Sequence, residues 1–346
     1  MKFRLFFALM VSFCLLSCGQ EDPIVDERPP HQGTEDVTPT PEPEPEPEKP
    51  EENPADRVPE GGPNTANWTT EVISEGLNLY KFLGVEPATK TKQRIFVLDV
   101  DMNNPRYRFA FRCQPNQQKI ITSEAQISSG AVAALNATYE RSSVFIKVDG
   151  VTINNIENNL ISDAVDNWKS EAGAFMTADG RVYLEYSGKG LSLVDQRRYY
   201  RKHECPNIFT SAPMLIDNYD PVGTTFVPSN LTSSDLSKLH SEHPHRHQGV
   251  THPRSVIALT KDNHVLLIAI DGRDGDYKGM SAKQVTQFLV YHFNPPYALN
   301  MDGGGSTALS INGTVVNTPS GGSSQEFGEE RPVPTHFLIF DDKKTE

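Results

Sequence analysis

The chain has 346 residues, and what it lacks narrows its function before any motif is considered. No block of lysine and arginine occurs, and the formal net charge is −13; neither feature suits a nucleic-acid partner. There are four cysteines, and the two beyond the N-terminal segment, Cys113 and Cys205, lack zinc-finger spacing. The nucleophile elbow G-x-S-x-G is absent throughout. A glycine triplet at 303–305 is followed by Ser306 and Thr307 with no lysine, which excludes a P-loop. A dinucleotide fingerprint would need Ala308 in place of its last glycine and a helix behind it, but a hairpin strand is predicted there. Residues 67–346 contain no Pro/Gly/Ser linker and no repeat of fixed period, so they are read as one domain.

The N-terminus is different in kind. Lys2 and Arg4 precede an apolar run from Leu5 to Leu16, which is too short for a permanent membrane helix and is read as a signal peptide. Leu15-Leu16-Ser17-Cys18 resembles the lipobox of bacterial lipoproteins, with Cys18 as the lipidated residue. The alternative is an ordinary secretory signal cleaved elsewhere. Residues 19–66, with "PEPEPEPEKPEE" at their centre, are rich in Pro and Glu and nearly free of aromatics. Such a composition buries too little apolar area to fold and forms an extended spacer. From Gln20 to Ala66 there are 14 acidic and three basic residues. With Lys2 and Arg4 also set aside, only −4 of the −13 belongs to residues 67–346. The expected organisation is a signal at 1–18, a disordered linker at 19–66 and a catalytic domain at 67–346. Of the cysteines in that domain, Cys113 and Cys205 can either pair or stay free in an exported protein.

The domain reads as α+β, with a mixed sheet and few helices. Strands are expected at 93–102 and 106–113. Hairpins are expected at 143–154, 175–187, 254–271 and 307–317, turning at Asp149-Gly150, Asp179-Gly180, Asp262-Asn263 and Asn312-Gly313. A last strand is expected at 336–340. Helices are predicted over Ser123–Leu135, with Ser123 as cap, and over Ser281–Phe293, with Ser281 as cap and Val285, Phe288, Leu289 and His292 on one face.

Two apolar strands end alike, one in Asp271-Gly272-Arg273-Asp274 and the other in Asp302-Gly303-Gly304-Gly305-Ser306, with a helix between them in sequence. If these strands are parallel neighbours, Asp271 and Asp302 emerge on one sheet edge, where ligands bind. Two carboxylates facing one pocket suit glycosidic cleavage. Arg254 and Arg273 reach the same region and offer forks for phosphate, and the N–H groups of 303–306 are a candidate anion nest. Together they suggest a sugar joined through phosphate. Each feature alone also has a plain structural reading: a turn with a salt bridge, a loop, a surface arginine. The histidines His240, His243, His245, His247 and His252 are expected in a polar loop, as solvated or rim residues, without a zincin signature.

The blocks "NMDGGGST" (300–307), "IDGRD" (270–274), "HPRSVIAL" (252–259), "SAPMLIDN" (211–218), "LNATY" (135–139) and "RPVPTHFLIF" (331–340) resemble the phosphodiester glycosidase family, over roughly residues 90–340. Its animal member uncovers mannose 6-phosphate by removing N-acetylglucosamine. The resemblance implies hydrolysis of a sugar-1-phosphodiester. It implies Asp302 and Asp271 as catalytic residues, and Asn136, Arg254, Arg273, Asn300, Gly303, Gly304 and Ser306 as substrate-binding residues. Ala137, Glu140 and Asn218 depart from the family pattern, at the pocket rim where sugar preference is set. The expected partners are a phosphorylated carbohydrate and, through Cys18, a membrane. No cofactor or metal is expected, and the protein is expected to be a monomer in the bacterial cell envelope. A non-catalytic glycan-binding lipoprotein and a histidine-based metal phosphoesterase are the competing readings.

Overall fold

The computed structural model describes residues 67–140, 143–156 and 168–345. The signal, Cys18 and the Pro/Glu segment lie outside the described residues.

Among the described residues the domain has three sheets. The first has the order β1 (Trp68–Ser74), β2 (Leu77–Glu86), β3 (Thr91–Asp101), β13 (His264–Ile270), β12 (Arg254–Leu259), β14 (Tyr297–Asn300), β11 (Met214–Asp217). The second runs β7 (Val151–Asn155), β6 (Phe145–Val148), β10 (Asn207–Ser211), β8 (Ala172–Met176), β9 (Val182–Glu185). The third runs β16 (Thr314–Val315), β15 (Leu309–Ile311), β5 (Ala133–Asn136), β17 (Thr335–Asp341), β4 (Tyr107–Cys113). The helices are α1 (Thr122–Ser129), α2 (Leu193–Lys202), α3 (Ser233–Lys238), α4 (Pro244–Gly249) and α5 (Ala282–His292).

The strand-rich α+β architecture is as expected, but the single mixed sheet is not: every ladder among the described residues is antiparallel. The expected hairpins form. Asp149 (φ 49°) with Gly150 (φ 79°), and Asn312 (φ 50°) with Gly313 (φ 81°), both take the positive φ of a two-residue type I′ turn. In the other two hairpins only Gly180 and Asn263 do so. There Thr177 N–H donates to Arg181 O, and Thr260 N–H to His264 O, around longer loops.

The helix expected over 123–135 is cut short. Gly130 ends it in the left-handed region (φ 74°), and Ala133–Asn136 becomes a strand between β15 and β17. Ile121, not Ser123, occupies the cap; the Ser123 hydroxyl instead donates to Glu330.

The apolar run of β13 is buried on both faces, as its composition implies. Leu267 and Ala269 join the core shared with the other two sheets, where Phe111, Phe209 and Phe337 from β4, β10 and β17 pack with ring centroids 4.8–5.8 Å apart. Leu266, Ile268 and Ile270 meet Val285, Phe288 and Leu289 of α5 on the other face. Ser281 caps α5 in a capping box with Gln284. Cys205 is a buried free thiol, so it does not pair with Cys113.

Candidate active site

β12 lies between β13 and β14 and is antiparallel to both. The two strands that end in aspartate are therefore parallel to each other but are not neighbours, so their C-terminal ends share one sheet edge with Arg254 at the start of β12. The register places Arg254 opposite Ile270 and Val256 opposite Asn300.

From Asn300 the chain crosses the start of β12 and the end of β5. Met301 N–H donates to Ser255 O (2.8 Å), Asp302 N–H to Ala137 O (3.0 Å) and Gly304 N–H to Pro253 O (2.8 Å). That closeness accounts for the glycines: a Cβ on Gly303 would lie 2.5 Å from Pro253 O, and one on Gly305 1.9 Å from Gly321 O, while Gly304 takes φ +61°. The anion nest is only partly available, because Gly304 N–H is bonded to Pro253 O, and Ser306 and Thr307 N–H close a tight turn onto Gly303 O and Gly304 O.

A cavity of about 580 Å³ opens at this edge, and Asp302, Arg254, Arg273, Gly303 and Gly304 line it. The Asp302 carboxylate is 13% exposed, with Oδ2 3.4 Å from Arg331 Nη2. Burial raises its pKa, opposed first by Arg331 and then by the Ser306 hydroxyl. Arg331 Nε also donates to Ser306 Oγ (3.1 Å), so one guanidinium holds both residues.

Arg254 is 1% exposed. Its Nε donates to Met280 O (2.8 Å), Nη1 to Gln248 Oε1 (2.6 Å), and Nη2 to Val250 O (3.0 Å) and His247 O (3.3 Å). The phosphate fork expected of Arg254 is thus taken up by the protein's own oxygens. No carboxylate lies within 4.0 Å of it among the described residues, and although burial lowers its pKa to about 10, it stays charged at neutral pH. Arg273 is exposed, with φ +61° and Nη2 3.3 Å from His252 Nδ1. Burial and the charge of Arg331 lower its pKa.

Asp271 is a correction. It does not line the cavity, and it is 1% exposed. It accepts from Thr318 N–H (3.0 Å), Asn317 Nδ2 (3.1 Å) and Arg94 Nη1 (3.2 Å). Enclosed by these donors, Asp271 is not among the residues that line the cavity, so the pocket with Asp271 and Asp302 as its two carboxylates does not form.

Asn136, Asn300 and Ser306 are also buried beneath the cavity wall rather than lining it. Asn136 Nδ2 donates to Asp302 O (2.6 Å) and its Oδ1 accepts from Ser255 Oγ (2.7 Å). Asn300 Nδ2 donates to the Tyr139 hydroxyl and to Ala212 O, each at 2.9 Å.

Sequence reasoning missed Arg331, Tyr139, Lys169, Glu242 and Arg246 as cavity residues, whereas His247 and His252, expected as solvated or rim residues, do line it. Tyr139 and Arg331 stood inside the quoted blocks "LNATY" and "RPVPTHFLIF", so a signal existed for both; Lys169 and Glu242 carried none. Lys169 pairs with Glu242, and its Nζ lies 4.9 Å from the Tyr139 ring centroid.

The histidine segment is not wholly the polar loop expected, because α4 forms within it. His247 packs against Trp168 and Tyr139 (centroids 5.4 and 5.6 Å), and burial holds its pKa well below the usual range. His252 is pushed down to about 3 by burial and by Arg254. Among the described residues no group of three or more His, Cys, Asp and Glu is disposed to hold a metal ion.

Of the lining carboxylates, Glu140 pairs with Lys119, Glu242 with Lys169 and Asp302 with Arg331. Arg246, Arg254 and Arg273 have no carboxylate within 4.0 Å among the described residues, so the cavity is electropositive above a single buried carboxylate.

A family model for phosphodiester glycosidases matches residues 129–340. The chain belongs to the phosphodiester glycosidase family. Its fold resembles the zebrafish N-acetylglucosamine-1-phosphodiester α-N-acetylglucosaminidase catalytic domain, a structure described as auto-inhibited by its propeptide. The TM-score is 0.54 at 18% identity, covering 80% of this chain and 89% of that one. A protein from Synechocystis aligns with TM-score 0.48 at 14% identity over 80% of this chain and 64% of its own. No curated protein matches the chain. Family membership places the protein among hydrolases of phosphodiester-linked sugars.

Proposed function

We propose that the cavity binds a sugar-1-phosphodiester and that Asp302 acts at its anomeric carbon. The observation that carries this reading is the pairing of one largely buried carboxylate with an electropositive wall in which Arg254 is buried with no counter-ion among the described residues. A buried cation with no acid is costly, and an incoming phosphate would offset that cost. In hydrolysis the oxygen of water bonds to the anomeric carbon and the bond from that carbon to the phosphate oxygen breaks. Its electron pair leaves on the phosphomonoester. Asp302 serves either as the nucleophile of a two-step reaction or as the base that takes the water proton; the anomeric configuration of the first product distinguishes the two. Arg273 and Arg331 hold the departing phosphate while Arg254 adds charge from beneath. Because phosphate is a good leaving group, the reaction does not need a second carboxylate as acid. The lipobox and the acidic spacer support export to the bacterial envelope, with the domain tethered through Cys18.

The test is release of reducing sugar and phosphomonoester from a panel of sugar-1-phosphate methyl diesters. Wild type is expected to turn over at least one member, and Asp302→Asn none. Equal turnover by Asp302→Asn would remove the assigned role. The withdrawal of Asp271 from the cavity favours a second reading, a protein that only binds phosphoglycans. Calorimetric binding without product from the wild type would establish it.

A further inference from the structure

The seven-stranded sheet borders a second cavity, of about 570 Å³, at its other end. β12 runs between the two: Arg254 opens it at the first cavity, and Leu259 closes it at the second, roughly 17 Å away at the rise of an extended strand. β14 does the same, from Tyr297 at the second cavity to Asp302 just beyond its end at the first. All three sheets contribute to the second cavity: Lys261 and His264 from the β12–β13 hairpin, Arg181 and Tyr183 from the β8–β9 hairpin, and Arg108 from β4.

Its electrostatics suit an anion. Arg181 and Lys261 are exposed and have no carboxylate within 4.0 Å among the described residues, and Arg108 Nε lies 3.9 Å from Asp342. The one lining carboxylate among the described residues, Asp179, accepts from the Thr177 hydroxyl. Asp99 and Asp101 behind the wall are drawn to His264, at 2.7 and 3.6 Å from its two ring nitrogens. The aromatic side is rigid: Tyr183 stacks on Phe175 (centroids 5.2 Å, interplanar angle 11°), with its hydroxyl 2.9 Å from Cys205 Sγ. Tyr297 adds a second half-buried ring. Flat aromatic walls suit the apolar face of a sugar ring, and arginine forks suit its acidic substituent.

We propose that this cavity is a second carbohydrate site, taking a sugar that bears a phosphate or a carboxylate, with Tyr183 and Tyr297 against the ring and Arg108, Arg181 and Lys261 around the anion. The proposal does not depend on the reading of the first cavity. It is tested by calorimetry on the full chain carrying Arg273→Ala, which weakens the first cavity. The probes are glucose 6-phosphate, a galacturonate hexamer and neutral maltohexaose. At least one acidic probe is expected to bind and maltohexaose not to; which acidic probe binds identifies phosphate or carboxylate as the group recognised. Adding Arg181→Ala and Lys261→Ala is expected to weaken that binding at least tenfold, while the same two substitutions in the wild-type chain leave sugar release unchanged. Failure of both acidic probes to bind, equal binding of maltohexaose, or affinity unchanged by the two substitutions would each overturn the proposal.

Discussion

The side-chain amide of Asn136 donates to the main-chain carbonyl of Asp302 at 2.6 Å, while its oxygen accepts from Ser255 Oγ at 2.7 Å and Ala308 N–H at 3.2 Å. One side chain at the end of β5 thus fixes both ends of the glycine segment and ties it to β12. Asn136→Ala leaves these buried groups unpaired, and a loss of about 2 kcal/mol is expected, read from urea unfolding. Sugar release by the folded fraction should fall at least tenfold, because the backbone that carries Asp302 is no longer held.

Asp271 and Asp302 should separate cleanly. Asp271→Ala removes the acceptor shared by Arg94, Asn317 and Thr318 and should lower stability by about 1–3 kcal/mol, with kcat/KM of the folded enzyme changed by no more than about threefold. Asp302→Asn should abolish turnover without destabilising the fold. The pKa of Asp302 is raised, so the folded state holds the proton more tightly than the unfolded chain, and the ionised carboxylate lowers stability at neutral pH. The asparagine variant should therefore be at least as stable as wild type at pH 7. Any gain should disappear as the pH falls below the ordinary carboxylate range. Melting temperatures at pH 7 and pH 3.5 check this.

Arg331 should not tolerate lysine. Its Nε and Nη2 reach Ser306 while Nη2 lies beside Asp302, and a single ammonium cannot reproduce that fork. Arg331→Lys is expected to lower kcat/KM for a sugar-1-phosphodiester at least tenfold and Arg331→Ala further, with added guanidinium restoring part of the alanine variant's activity. Equal rates for wild type and lysine variant would remove the role.

Acid should destabilise the protein through His336. This residue is fully buried, neither ring nitrogen has a hydrogen-bond partner among the described residues, and burial together with Arg112 pushes its pKa down to about 3. The unfolded chain takes up this proton near pH 6.5, so stability falls as pH drops from there towards 3. For His336→Phe that contribution is absent. The stability difference between variant and wild type should shift in the variant's favour by about 1.4 kcal/mol per pH unit below 6.5, measured by urea unfolding from pH 7 to pH 4.

Local pattern made much of this protein legible. Asp149-Gly150 and Asn312-Gly313 turn where such pairs turn, Ser281 caps α5, and β13 is apolar on both faces because it is covered on both. The glycine segment stood out because it coincides with a second strand end in aspartate and two arginines, and because ordering three glycines is costly without a close neighbour. The limits also have physical causes. The 123–135 segment reads as one helix because nothing local reveals that β15 and β17 will flank Ala133–Asn136. Arg331 is distant in sequence from Asp302, so their contact is a product of packing alone.

The sequence by itself determined the strand-rich domain, its hairpins, the family it belongs to and the edge where Asp302 and the arginines gather, since each depends on residues near one another or on blocks of fixed order. Only the tertiary structure decided what the polar groups at that edge do. The pairing of β3 with β13 sets Arg94 beside Asp271, residues 247–250 and Met280 surround Arg254 with oxygens, and the segment before β17 brings Arg331 onto Asp302. A charged side chain's role depends on which partners satisfy it once buried, and those partners come from strands far apart in the chain.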